Sequence, residues 1–349
     1  MFTNRPWLLY GATGRSGTLI AEEAVARGHR PVLAGRDADR VRRLAERLDL
    51  PWAVGQPSEV GGLLGDARLV LLAAGPFGAT APSVLRASLD AGVHYLDIAN
   101  EIPVASAALA ADDAARQRGI TVLPAVGFGT VASDGLAKHV ADQVPGATQL
   151  ELAILLETDG TSAGARSSRL QRLAGGGRVR RNGRLVRTRL GSGARRQATP
   201  IGDHTLMHVP TGDLVVAAHT TGIQDITVSF PVSMPPVATT FAMPVLPVLA
   251  RASSKLPRRA TSRESTAPTA RAHDTATANS YLWARATAPD GRTAQAWART
   301  GEGYAYTARA AVLAVEAALG HEPLGATTVA RAFGPQLSFE AGGELVAAA

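Results

Sequence analysis

Seven residues near the start of the chain, Gly11-Ala12-Thr13-Gly14-Arg15-Ser16-Gly17, have the types and spacing to cradle a pyrophosphate. Glycine first permits a tight turn, glycine second lets backbone approach the phosphates, and glycine third lets a helix pack closely on a sheet. The flanks supply the context that such a loop needs. Residues 7–10 are a short apolar run that reads as a buried strand, 16–27 as a helix, and 31–34 as a second strand. In that order of elements, the N–H groups at the helix start face the phosphates, aided by the positive end of the helix dipole. The second strand ends in Ala34-Gly35-Arg36. A cofactor with a free 2′-hydroxyl meets an Asp or Glu there, whereas the planar fork of Arg36 suits a 2′-phosphate. The plainer alternative is a solvated arginine. We read the loop, Gly11 to Gly17, together with Arg36 as a site for NADP(H).

Other residues could carry the reaction. Ala74-Gly75-Pro76-Phe77 follows the apolar run 69–73, at the carboxyl edge of the expected sheet, and is assigned to the nicotinamide side of the cofactor. Asp97 and Glu101 follow the strand 93–97, where an acid of raised pKa can donate a proton beside a hydride acceptor. In the competing reading Asp97 caps the next helix and Glu101 is solvated. His219, beside Thr220-Thr221, is a third candidate donor or substrate ligand, against the plainer reading of a packed strand histidine. Ser133-Asp134 reads as the cap of a helix running to Gln143. Tyr304 and Tyr306 have Ala308 and Ala310 four residues on, so neither forms a Tyr–Lys catalytic pair. No metal site is expected.

The elements that must position these residues alternate regularly at first. Strands at 52–54, 69–73, 93–97 and 120–123 are separated by helices at 37–48, 80–91 and 103–118. That alternation predicts an α/β fold, a Rossmann-type doubly wound parallel sheet of about six strands. The pattern changes after Pro124. Stretches 149–156 and 214–228 read as strands of a second, mostly antiparallel sheet, and Asn182-Gly183 and Pro289-Asp290-Gly291 as hairpin turns. An alanine-rich helix at 305–319 is expected to pack back on the first unit. The expected domains are 1–128 for the nucleotide, 129–300 for substrate and dimerisation, and 301–349 as a helical return.

Composition narrows the function classes. The 349 residues include 46% apolar and 19% charged side chains, and no cysteine, so thiolate nucleophiles and Cys-ligated zinc are excluded. The absence of a leader-like start and of any long uninterrupted apolar run points to the cytoplasm and to no transmembrane segment. The net charge of +7 is carried almost wholly by arginine, and residues 160–202 hold eleven arginines and no acid. That stretch reads as a solvated hairpin or as a surface for an acidic substrate or carrier protein. Aromatic content of 5% and the lack of a recognition motif argue against nucleic acid. Residues 226–252 are apolar but broken by five prolines, which suits a substrate tunnel, a homodimer interface or core. Residues 251–273 read as a loop.

Along nearly its whole length the chain resembles the saccharopine dehydrogenase-like oxidoreductases, including short members described as trans-acting enoyl reductases. The resemblance is carried by Gly11 to Gly17, Ala74 to Gly78, and Tyr95-Leu-Asp97-Ile-Ala-Asn100-Glu101. It continues in Gly127-Phe128-Gly129 with Ser133-Asp134, Gly212-Asp213 with Thr220 to Ile223, and Gly303-Tyr304 with Thr307-Ala308. Asn100 stands where glycine is common, and Gln224-Asp225 where Pro-Asn is common. The resemblance implies an α+β substrate domain inserted before the C-terminal return. It also implies an NADP(H)-dependent reductase acting on a C=C or C=N bond of a small-molecule or carrier-bound acyl substrate. Saccharopine-type imine chemistry is the alternative reaction. A non-catalytic NADP(H)-binding regulator and a lipid-surface protein are the alternative functions.

Overall fold

A computed structural model of the chain describes residues 6–156, 176–245, 279–321 and 323–347. The 251–273 stretch and Arg166, Arg169 and Arg172 of the arginine-rich segment lie outside the described residues.

β1 (Trp7–Tyr10), β2 (Val32–Gly35), β3 (Trp52–Val54), β4 (Leu69–Leu72), β5 (His94–Asp97) and β6 (Thr121–Leu123) lie in one sheet. A seventh strand, β15 (Gly325–Ala326), comes from near the C-terminus, and all neighbours are parallel in the order β15-β6-β5-β4-β1-β2-β3. Strands β1, β4 and β5 are buried along their full length, as a sheet covered on both faces requires. Strand alternation divides their side chains between two layers. Trp7, Leu9, Leu69 and Leu71 face the layer of α1 (Arg15–Ala26), α2 (Ala38–Leu48) and, from the C-terminal part, α10 (Gly303–His321). Leu8, Tyr10, Val70 and Leu72 face α3 (Val60–Leu63), α4 (Phe77–Ala91) and α5 (Ile102–Leu109). Each such Leu is worth about 1.5–3 kcal/mol of burial, so the two faces clamp the sheet from both sides.

The chain runs from β1 outward through β2 to β3, then crosses to β4 on the other side of β1. The carboxyl ends of β1 and β4 therefore part, and the crevice of a doubly wound fold opens there. The single helix expected over 103–118 is two, α5 and α6 (Asp112–Gln117), broken at Ala110-Ala111.

Among the described residues the second sheet has nine strands. Its main path is β10 (Arg195–Thr199), β11 (Gly202–His208), β12 (Asp225–Val232), β7 (Gln149–Leu156), β13 (Ser280–Thr287), β14 (Thr293–Thr300) and β16 (Glu344–Val346). β8 (Gly177–Arg181) and β9 (Arg184–Thr188) branch from it as a hairpin. All pairs are antiparallel except β12 with β7. Asn182 and Gly183 both have positive φ, 48° and 73°, the mirror-image turn that matches the twist of a tight hairpin.

Two sequence expectations are corrected on this sheet's inner face. The 214–228 run is not one strand. Its first half is a helix, α8 (Asp213–Thr221), and only β12 is extended. The β-branched run Val215-Val216 reads as strand, but packing on α7 (Thr130–Gln143) and a left-handed Gly222 at φ 75° closing the helix decide otherwise. Nor do Ser133 and Asp134 cap α7. That helix starts at Thr130 from Gly129, which stands at φ 91°, and has no side-chain cap, so the pair lies inside its first turns.

Candidate active site

The glycine loop sits where β1 meets α1. Gly11 adopts φ 93°, and a Cβ there would stand 2.6 Å from Ala74 N, so two crossing loops touch only because glycine is present. A Cβ on Gly17 would collide with the carbonyl of Gly11, which is the close helix approach that the spacing predicts. Gly14 is the residue before α1, and its N–H closes back on Gly11 O at 3.1 Å. Ala12 is fully buried, and the Thr18 hydroxyl donates to its carbonyl, so its side chain packs the loop from below.

A cavity of about 510 Å³ runs along this crevice. At the β2 end it is lined by Arg36 and Arg40, in the middle by Gly11, Thr13, Gly14, Arg15 and Ser16, and at the β4–β5 end by Ala74, Gly75 and Phe77. Beyond these come Ile98, Asn100, Glu101, Phe128, Tyr304 and Thr307. Of the residues assigned to the cofactor from sequence, Ala12, Pro76 and Gly17 do not line the cavity. Arg36 has no hydrogen-bond or ion-pair partner among the described residues. Arg40, in the first turn of α2, donates to Thr13 O at 2.8 Å and lines the same cavity as Arg36. Its signal in the sequence was the four-residue spacing from Arg36, hidden among the arginines of an amphipathic helix. Arg15 stacks over the Tyr304 ring at 3.8 Å and reaches Glu302 at 3.4 Å. Glu302 in turn accepts from Tyr304 N and Ala305 N at 2.8 and 2.9 Å, so one carboxylate caps α10 and anchors the glycine loop to it. Sequence reasoning gave no role to Tyr304 and Thr307, because the tie to Arg15 exists only after the C-terminal helix has returned to α1.

The three sequence-derived catalytic candidates are dispersed. Asp97 is fully buried and does not line the cavity. Its Oδ1 accepts from Ala99 N and Ala125 N, both at 2.9 Å, and its Oδ2 from Tyr95 Oη at 2.7 Å. Burial pushes its carboxyl up, and these donors pull the other way without cancelling it. His219 is on the helix α8, not on a strand, and does not line the cavity; Arg331 Nη1 donates to its carbonyl at 2.7 Å. Burial and the Arg331 charge push its imidazole down.

Glu101 alone of the three lines the cavity. It is the residue before α5, 9% exposed, and its Oε2 accepts from Asn100 N at 3.0 Å, while Oε1 is buried with no partner among the described residues. Neighbouring Asn100 is tied across to the second domain, since Gly212 N donates to its Oδ1 at 2.7 Å and its carbonyl at 3.0 Å. Asp134 lies away from the cavity, under α11 (Val329–Phe333), accepting from Ala330 N at 3.2 Å. Burial, reinforced by nearby Asp213, pushes its carboxyl up to about 7.

A glycine cradle that a Cβ would fill and, at the end of β2, an arginine without a partner among the described residues together fit a phosphorylated dinucleotide. The comparison with known families agrees: residues 7–123 match the saccharopine dehydrogenase NADP-binding domain. That stretch is an NADP-binding domain of the saccharopine dehydrogenase type. A trans-acting enoyl reductase of Mycobacterium leprae is 33% identical over 141 residues, 36% of this chain and 33% of the relative. One of Mycobacterium tuberculosis (strain ATCC 25618 / H37Rv) is 32% identical over 143 residues, with the same coverage of each chain. The match thus spans about a third of the length of these curated relatives. Among solved structures, apo saccharopine dehydrogenase (L-Glu forming) from Saccharomyces cerevisiae superposes with TM-score 0.61 at 12% identity. It covers 99% of this chain and 100% of its own, and so shares the fold. Among the described residues no helix is long and apolar enough to cross a membrane, and no three His, Asp or Glu side chains group as metal ligands.

Proposed function

We propose that the protein is an NADP(H)-dependent reductase that delivers hydride to the C=C bond of an acyl-chain substrate, free or carrier-bound. One observation carries the reading. A single cavity joins the glycine loop and the Arg36–Arg40 pair to a pocket walled by Phe77, Ile98 and Phe128 and floored by Asn100 and Glu101. The cofactor supplies the hydride, and the residues around it bind, orient and exclude water. Arg36 and Arg40 take the 2′-phosphate. The N–H groups of the 11–17 loop take the pyrophosphate, with Arg15 held over Tyr304 beside it. Phe77 and Phe128 give the acceptor an apolar wall, which suits a hydrocarbon double bond. Of the three candidates first considered, Glu101 is the one whose position in the cavity lining supports a role at the cofactor, while Asp97 and His219 serve the fold. The name borne by the mycobacterial relatives supports the enoyl substrate.

The test has two steps. Fluorescence titration should show NADPH binding much more tightly than NADH. Purified protein should then consume NADPH with enoyl thioesters, carrier-linked or as coenzyme A esters. Consumption only with imines formed from an amino acid and an oxo acid would move the reading to saccharopine-type chemistry. Tight NADPH binding without turnover on either class would make the protein a regulator. A homodimer is part of the proposal, supported by Val237 and Phe241, 71% and 77% exposed on α9 (Pro236–Ala242), and is checked by light scattering.

A further inference from the structure

Two neighbouring residues that line the cavity each carry a polar group with no hydrogen-bond partner among the described residues, and the two groups are of opposite kinds. Glu101 Oε1 is a buried acceptor with no partner among the described residues. Asn100 Nδ2 is a donor: Oδ1 is identified by the bond it accepts from Gly212 N, so the amino group is the other arm, near Gly129. It forms no hydrogen bond among the described residues. Both residues line the β4–β5 end of the cavity, opposite Arg36. In a doubly wound sheet the pyrophosphate lies over the switch point. Arg36 marks the adenosine side, so the nicotinamide side falls at Asn100 and Glu101.

We propose that Asn100 and Glu101 form the recognition pair for the nicotinamide carboxamide, with Glu101 accepting its N–H and Asn100 donating to its carbonyl oxygen. This rests on the NADP(H) reading above. A primary carboxamide offers one donor group and one acceptor group on adjacent atoms, the complement of what the pair presents. A substrate thioester could use the donor but would leave the carboxylate orphaned, and an unpaired buried carboxylate oxygen is costly. The pair is also rigid. Asn100 is pinned to Gly212 of the second domain, and a Cβ on Gly212 would approach Asn100 Oδ1 to 2.9 Å. Glu101 is held by Asn100 N. The carboxylate therefore acts as a positioning group that selects which ring face meets the acceptor. Its negative charge also favours the cationic ring that remains after hydride leaves.

Direct binding measurements on the full chain test this. Three probes are titrated: NADPH, its reduced 3-acetylpyridine analogue, which keeps the carbonyl but lacks the N–H, and 2′,5′-ADP, which reports only the adenosine side. The wild type should bind the analogue about tenfold more weakly than NADPH, the loss of one charge-assisted hydrogen bond. Glu101→Gln keeps an acceptor for Asn100 N but turns an amide toward the ligand. It should bind both reduced cofactors alike, at the wild type's level for the analogue. Asn100→Asp keeps the Gly212 contact and should weaken NADPH and the analogue equally. 2′,5′-ADP should bind all three proteins equally. The proposal is overturned if Glu101→Gln keeps the wild-type preference for NADPH. It is also overturned if that variant loses 2′,5′-ADP as well, since the carboxylate is then structural. If the wild type binds neither NADPH nor 2′,5′-ADP, the cofactor reading itself fails.

Discussion

Asp97 and Glu101 stand four residues apart in the segment that leaves β5, and the protein treats their carboxylates differently. Asp97 is sealed beneath the carboxyl edge of the sheet, with both oxygens engaged by two backbone N–H groups and a tyrosine hydroxyl. One of those N–H groups belongs to Ala125, a non-glycine residue at φ 62°, so Asp97 also holds a strained turn in place. Glu101 lines the crevice and keeps one oxygen unpartnered among the described residues. A satisfied buried acid stabilises a particular backbone path; an unsatisfied one at the edge of a cavity costs stability and offers a bond to a ligand. The difference teaches that proximity to the cleft in sequence does not assign chemistry. The count of donors already present around each oxygen does.

That contrast can be broken most sharply at Asp97. Asp97→Ala strands three buried donors, and should lower stability by more than about 3 kcal/mol, whereas Glu101→Gln should cost under about 1 kcal/mol. Urea unfolding midpoints at unchanged slope measure both. Equal losses would erase the distinction between the two acids.

Asp134 extends the comparison to a second sealed acid. Its carboxyl titrates at about 7 in the folded chain against an ordinary 3.8, so the folded state keeps a proton that the unfolded state has released. Stability therefore falls as pH rises through that window and levels off above it. Asp134→Asn should flatten this slope in unfolding midpoints taken between pH 4 and 8, and a slope unchanged by the substitution would refute the assignment.

At the opposite end of the cavity, Arg36→Ala should weaken NADPH binding by about 1.5–3 kcal/mol, roughly ten- to a hundredfold, and leave NADH and thermal stability unaltered. Equal loss for both nucleotides would mean that Arg36 shapes the site without reading the 2′-phosphate. The smallest effect belongs to the exposed pair of Arg27 with Glu316, 2.6 Å apart between α1 and α10. Arg27→Ala should cost only about 0.2–1 kcal/mol, less in high salt, and leave NADPH affinity as it was.

Much of the first sheet was legible because its signals are local. A turn needing glycine, an apolar run of four and an amphipathic helix each act over a few residues, so Gly11, Gly17, β1 and α2 could be read directly. The Asn182-Gly183 and Pro289–Gly291 hairpins were legible for the same reason. The 214–221 stretch was not, since its composition favours strand and only packing against α7 makes it α8. The cap expected at Ser133 failed similarly: the Ser133 hydroxyl donates to Thr130 O and to Asp213, some eighty residues on, and caps no N–H at its helix start.

The sequence by itself determined the glycine loop between β1 and α1, the arginine at the end of β2 and the alternation that builds a parallel sheet, because steric and hydrophobic constraints there involve neighbours along the chain. Only the tertiary structure decided which acids face the crevice, that Arg40 joins Arg36, and that Asn100 bridges to Gly212. These depend on which donors and acceptors distant segments bring together, and hydrogen bonds made across the fold leave no periodicity in the sequence to read.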